Sequence, residues 1–329
     1  MKTLRHTRVR EAFPLSLPPV SELLQQVEAR LVERLQSREP LLTQISSYLV
    51  SSGGKRVRPT VILLVFRACG GRDFADVIDV AAALELIHSA TLLHDDIIDN
   101  NSMRRGKESA YHRYGTASTL VTGDFVFSRA FQLCARFEEK LIAWAAEACV
   151  SLTEGEIMQG RFRRNCAVTV PDYLEIISRK TASIFQQGAR TAASLAQAPE
   201  TIVEAMAQCG FNVGMTFQIV DDLLDIESSE ARLGKSVGID LRDGNPSLPI
   251  VLALGREPEV ARVFRLETPS DEDVALAIER IRACGVLETV RVMAADYGQR
   301  ARRGLAALTP SPDKEHLEAL VEQLITRAA

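Results

Sequence analysis

The stretch Leu84-Glu85-Leu86-Ile87-His88-Ser89-Ala90-Thr91-Leu92-Leu93-His94-Asp95-Asp96-Ile97-Ile98-Asp99 decides how this chain folds. Apolar residues recur at three- and four-residue spacing through it and just upstream, at Val77, Val80, Ala81, Leu84, Ile87 and Ala90. That is the repeat of a helix face. At 100° per residue Asp95, Asp96 and Asp99 fall within about 100° of one another, with Glu85 and His88 on the same stripe. An apolar helix thus ends in a crowd of carboxylates.

The pattern returns once, in Gln218-Ile219-Val220-Asp221-Asp222-Leu223-Leu224-Asp225. Three like charges on one turn repel, and the C-terminal end of a helix dipole favours cations. Apolar neighbours add a desolvation cost. A divalent ion removes these objections together. Mg²⁺ takes one or two carboxylates, with water and phosphate oxygens completing its shell, so open clusters predict a metal shared with a diphosphate. A single DDxxD reads as a solvated helix end. Two copies, each followed by a basic loop, read as a site.

Those loops are Asn100-Asn101-Ser102-Met103-Arg104-Arg105-Gly106-Lys107 and Leu233-Gly234-Lys235-Ser236. A third, Ser51-Ser52-Gly53-Gly54-Lys55-Arg56-Val57-Arg58-Pro59, lies upstream, where glycines let the backbone approach an anion. Each alone is a solvated turn. Together they supply cations for two diphosphates.

Proline placement extends the helical reading over the chain. None falls between Pro59 and Pro171, and only Pro199 stands between Pro171 and Pro246. Long proline-free stretches rich in Ala, Leu, Glu and Gln read as long helices. Starts are marked at Pro171-Asp172, Pro199-Glu200, Ser270 with Asp273, and Pro312-Asp313. Val57 to Val65 fits a strand or a helix opened by Pro59. The expectation is an all-α chain of ten to twelve helices. Residues 1–16 form a loose arm and residues 17–329 one domain.

At 46% hydrophobic, 329 residues suffice for a large core. A net charge of −4 excludes a basic field for nucleic acid. Six scattered cysteines without a CxxC pair read as free thiols of a reducing cytoplasm. Met1 to Pro14 lacks the apolar core of a signal peptide, and no apolar run reaches the ~18–20 residues of a membrane span.

The motifs, in order, resemble the trans-isoprenyl diphosphate synthases of medium or long product length. They are Gly53 to Pro59, Leu93 to Asp99 with Arg104-Arg105-Gly106, Gly123-Asp124-Phe125, Lys180-Thr181, Phe217 to Asp225 and Gly234-Lys235. The resemblance runs from about residue 20 to beyond residue 250. It implies an orthogonal helical bundle around a central cavity, a homodimer, and head-to-tail condensation of isopentenyl diphosphate onto an allylic diphosphate. Three Mg²⁺ ions would lie on Asp95, Asp99, Asp221 and Asp225, with Asp96 and Asp222 as further ligands or supports. Arg104, Lys180, Thr181, Gln218 and Lys235 would hold the allylic substrate, with Lys180, Thr181 and Gln218 at the reacting carbon. Lys55, Arg58, His88 and Arg105 would bind isopentenyl diphosphate. Without that context His88 reads as a satisfied core histidine. Asn245 departs from the pattern, standing where many members carry lysine, and Arg300, Arg302, Arg303 and Arg327 match no motif.

Product length turns on the helix before Asp95. Short-chain members carry an aromatic residue about five positions upstream; here Ala90 and Thr91 are small, with Ile87 and Leu84 deeper. An open tunnel and a product longer than geranylgeranyl are expected, with Phe127, Phe131 and Trp144 as candidate floor residues. The alternatives are a short-chain farnesyl or geranylgeranyl synthase, a terpene cyclase, and a non-catalytic subunit of a two-protein synthase. A cyclase lacks the Gly-Gly-Lys-Arg loop, and a silent subunit loses aspartates that are intact here. A greasy product is compatible with peripheral membrane contact, and no segment requires it.

Overall fold

The computed structural model describes residues 20–50, 53–227 and 237–327. The arm expected over residues 1–16, and the Gly234-Lys235 motif, lie outside them. Sixteen α-helices are present among the described residues, more than the ten to twelve expected, because the chain after residue 238 breaks into short pieces. Helix starts follow their caps. Thr169 and Ser270 each close a capping box with Asp172 and Asp273, and Ser311 accepts from the backbone of Lys314.

Helix α4 (Ala75–Ile98) carries the first aspartates and is buried almost all round. It packs against α1 (Ser21–Arg34), α3 (Val57–Ala68), α6 (Thr116–Cys134) and α9 (Ser183–Leu195). Its length and composition would suit a membrane span, although polar residues break every long apolar run. Within the fold, 78% of that window is buried. The ambiguous Val57–Val65 stretch is the buried helix α3, with Pro59 in its first turn, where a missing N–H costs nothing. Among the described residues strands are confined to one pair, Met103–Arg104 against Lys107–Glu108, turning at Arg105-Gly106. Two-residue strands carry no period, so the sequence reads only as a loop there.

The core forms two clusters. The larger gathers α1, α3, α4 and α9 with α2 (Pro40–Val50) and α16 (Pro312–Thr326). The smaller gathers α8 (Val170–Ile177), the second half of α10 (Glu200–Glu227) and the helices after it up to α15 (Val286–Leu305). Helix α10 spans both, and its C-terminal end carries the second aspartates. Between α8 and α9 the helix widens into a π turn at Ser178–Ala182. Neither proline nor glycine marks it in sequence.

Candidate active site

One cavity of about 120 Å³ is lined by Arg58, His88, Thr91, Asp95, Leu152, Lys180, Thr181, Ile184 and Gln218. It lies between α3, α4, α9, α10, the π turn and α7 (Glu139–Phe162). The fold therefore brings Lys180, Thr181 and Gln218 together with Asp95, Arg58 and His88.

The π turn is seated from two sides by helices that lack side chains at the contact. A Cβ on Gly155 of α7 would fall 2.6 Å from the Lys180 backbone nitrogen, and one on Gly214 of α10 would fall 2.6 Å from Ala182 Cα. Both are closer than a real Cβ tolerates. The turn thus presents Lys180 and Thr181 consecutively at the cavity. Thr181 Oγ1 donates to Gln218 Oε1 (2.9 Å), and Gln218 Nε2 donates to Asp222 Oδ1 (2.8 Å). Lys180 Nζ donates to Gln159 Oε1 (2.6 Å), pairs with Glu156 and lies 3.9 Å from Asp95. Burial pulls the Lys180 ammonium down, yet Asp95 and Glu156 outweigh it and hold the ammonium above its usual range.

In the first cluster each aspartate faces a cation. Asp96 is fully buried and its Oδ1 accepts from Arg104 at 2.6 and 2.8 Å, while its Oδ2 has no hydrogen-bond partner. Asp99 pairs with Arg163 from the end of α7. Burial raises Asp95 despite Lys180, and nearby Glu156 and Asp99 raise it further.

The second cluster uses neutral donors. Asp222 is buried and accepts from Gln218, from the Tyr173 hydroxyl (2.7 Å) and from the Leu248 backbone (3.2 Å). Asp225 accepts from the backbone N–H groups of Ile239 and Asp240, 3.3 Å each, at the start of α11 (Ile239–Asp243). Asp221 is exposed. Burial raises Asp222 and Asp225. Asp240, which the motif reading passed over, is pushed well up by burial and by Asp225 and Asp222. Burial, with Asp99 close by, lifts Asp243 to about 6. Asp243 thus links the two clusters, since Asp225 acts on it as well.

Among the described residues no three such groups close around a single point. The donor set is oxygen-only and over-supplied with negative charge, which suits a hard ion that borrows phosphate oxygens for the rest of its shell. The residues present fit Mg²⁺.

The second set of cations gathers at the same mouth. Arg58 stacks on Phe185 and Phe217, 5.2 and 5.9 Å from the ring centres, and its Nε is buried without a partner. Burial lowers the Arg58 guanidinium, and burial with Arg58 and Arg105 holds His88 neutral. Gly54 lies against Arg105, where a Cβ would fall 3.3 Å from its guanidinium nitrogens, so the Gly-Gly loop adjoins the hairpin turn. Lys55 is exposed on that loop. Arg56, next to it, is spent on Glu28 and Glu85.

Of the length positions, Thr91 lines the cavity, while Ala90 and Ile87 are buried away from it. The reason is angular: Ala90 sits about 140° around α4 from Asp95, whereas Thr91 is one turn below it. A second, separate cavity of about 20 Å³ lies between α4, α6, α7 and α9, lined by Val80, Ala83, Leu84, Cys134, Phe137, Leu141, Ala145, Gln187 and Thr191. None of Phe127, Phe131 and Trp144 lines it. Tyr173, Glu156, Gln159 and Arg163 are site neighbours that no local motif exposes.

A helical bundle that brings Asp95 of the first acidic cluster, Arg58, Lys180 and His88 to one cavity, with Gln218 joining that cavity to Asp222 of the second, is built to handle diphosphates. Residues 39–281 match the family model described as polyprenyl synthetase. The chain is 36% identical over 316 residues to octaprenyl diphosphate synthase of Escherichia coli, covering 93% of this chain and 97% of that one. It is 31% identical over 308 residues to a geranylgeranyl diphosphate synthase of Methanosarcina mazei, covering 92% and 94%. The crystal structure of a polyprenyl synthase from Caulobacter crescentus, complexed with calcium and isoprenyl diphosphate, aligns with a TM-score of 0.90. That match is at 32% identity over 95% of this chain and 97% of the other. The chain belongs to the polyprenyl synthetase family, with its all-α isoprenoid synthase fold, and it is a prenyltransferase.

Proposed function

We propose that this enzyme condenses isopentenyl diphosphate onto an allylic diphosphate and repeats the step past geranylgeranyl. The observation that carries the reading is the single cavity on which Asp95, Lys180, Thr181, Gln218, Arg58 and His88 converge. Asp95 and Asp99 on one side, and Asp221 and Asp225 on the other, are the proposed holders of Mg²⁺, three ions in all. Bound with the diphosphate, these ions supply the charge neutralisation that lets the allylic carbon–oxygen bond break. Lys180 and Arg104, with Lys235 outside the described residues, donate to the leaving diphosphate. The Thr181 and Gln218 oxygens face the resulting cation from a fixed hydrogen-bonded pair. Lys55, Arg58, Arg105 and neutral His88 orient the second diphosphate so that its double bond attacks the cation. A proton then leaves to the released diphosphate.

The tail is proposed to grow past Thr91 and Leu84 into the second cavity, with Phe137 and Leu141 as its floor. From Asp95 to Val80 is fifteen residues of α4, or ~22 Å. Exposed Leu120 and Val121 on α6, and Val150 and Ile157 on α7, suit burial by a second copy of the chain, and a homodimer is proposed through that face. The cytoplasm is the proposed location.

Purified enzyme is incubated with Mg²⁺, labelled isopentenyl diphosphate and farnesyl diphosphate, and the dephosphorylated products are separated. Alcohols longer than geranylgeraniol are expected. A ladder that stops at geranylgeraniol keeps the reaction and refutes the length. No incorporation from either farnesyl or geranyl diphosphate refutes the catalytic reading.

A further inference from the structure

Arg163 stands where no family motif led. Helix α7 ends at Phe162, and the next residue turns its guanidinium onto Asp99 while Nη1 lies 3.4 Å from the Ile98 carbonyl. Its Nε is buried without a hydrogen-bond partner. Arg164 fixes where this side chain starts. Its backbone N–H donates to the Gly244 carbonyl (2.9 Å), and its guanidinium binds the carbonyls of Arg242, Leu266 and Glu267. Arg163 is thus mounted on the loop after α11 and aimed across at the end of α4, between the two acidic clusters.

An Asp99 that takes up a metal has less charge to offer a guanidinium. Arg163 then holds a planar fork with one donor already idle, beside a site that receives a polyanion. Such a fork matches phosphate oxygens two at a time. The loop opposite offers no cation at Asn245, whose side chain is buried with an unpartnered Oδ1. We propose that Arg163 is a binding residue for the allylic diphosphate, parked on Asp99 and handed to a phosphate oxygen when diphosphate and metal arrive. The proposal rests on the reading of the site given above.

The test is calorimetric and needs no turnover. Full-length wild type, Arg163→Gln and Arg163→Lys are titrated with Mg²⁺ alone, and with inorganic diphosphate in the presence and absence of Mg²⁺. In Arg163→Gln the magnesium-dependent affinity for diphosphate should fall about ten-fold, the loss of one charge-assisted contact. Affinity for Mg²⁺ alone should not fall, because Asp99 is released. Arg163→Lys, which keeps the charge without the fork, should lie between. Diphosphate affinity unchanged or tighter in Arg163→Gln refutes the proposal, as does a parallel loss of both affinities, which marks a mere scaffold. Should Arg163→Gln fail to fold, Arg163→Lys decides, and wild-type affinity in it counts against the fork. Wild type that binds no diphosphate with Mg²⁺ overturns the underlying reading as well, a result distinct from a defect confined to the variants.

Discussion

Asp96 and Asp222 hold the same place in two copies of one pattern, yet the fold treats them differently. Asp96 is buried against a charge, the Arg104 guanidinium from the hairpin. Asp222 is buried against neutral donors: a glutamine amide, a tyrosine hydroxyl and a backbone N–H. Their outer neighbours follow suit. Asp99 meets Arg163, whereas Asp225 meets two backbone N–H groups of α11. One cluster is balanced by side-chain cations that can change partner, the other by dipoles fixed in the scaffold. The motif sets which carboxylates are offered, and the surroundings set how readily each can be redirected.

Substitutions can break that contrast. Asp95→Asn should cost the most, about a thousand-fold in kcat, since it removes metal-site charge worth several kcal/mol. Unchanged turnover in it would displace the first cluster from the chemistry. Arg104→Gln should destabilise by ~3 kcal/mol because it strands the Asp96 carboxylate in the core. Denaturant melts of the metal-free protein read that loss. Gly155→Ala should lower kcat by roughly a hundred-fold while the KM for isopentenyl diphosphate holds, since an added methyl displaces the π turn. The turn gives Lys180 to the first cluster and Thr181 to the second, so a change confined to KM would argue against shared seating. Tyr173→Phe should be mildest, at ~1–2 kcal/mol, because Asp222 keeps two donors. A loss as large as that of Arg104→Gln would erase the distinction between the clusters. Ala145→Phe should shorten the product without lowering the first condensation rate, and an unchanged product ladder would place the tail elsewhere.

The sequence made the aspartates legible because DDxxD is local: three residues on one turn share a face wherever the helix goes. The capping box of Ser270 with Asp273 was legible for the same reason, whereas the helix start at Pro171-Asp172 was read without its cap, Thr169. Arg163, Glu156, Tyr173 and Asp240 were not, because their partners lie on other elements. Ala90, picked by counting along the sequence, is buried and lines neither cavity, because counting ignores the angle around the axis. Its neighbour Thr91 has the right angle and reaches the cavity. The π turn left no trace, since Ser178-Arg179-Lys180-Thr181-Ala182 is ordinary helical sequence.

That turn closes with the Ser183 N–H reaching back to the Ser178 carbonyl, so the rod from Val170 to Leu195 carries one residue more than its path requires. The surplus acts as a phase setting. It lets Tyr173 meet Asp222 from α8 while Thr181 meets Gln218 from the turn, although both acceptors sit on α10. Deleting any one residue between Tyr173 and Thr181 would close the turn into regular α winding and remove the widening from which Lys180 and Thr181 face the cavity. The segment can therefore drift in composition far more freely than in length.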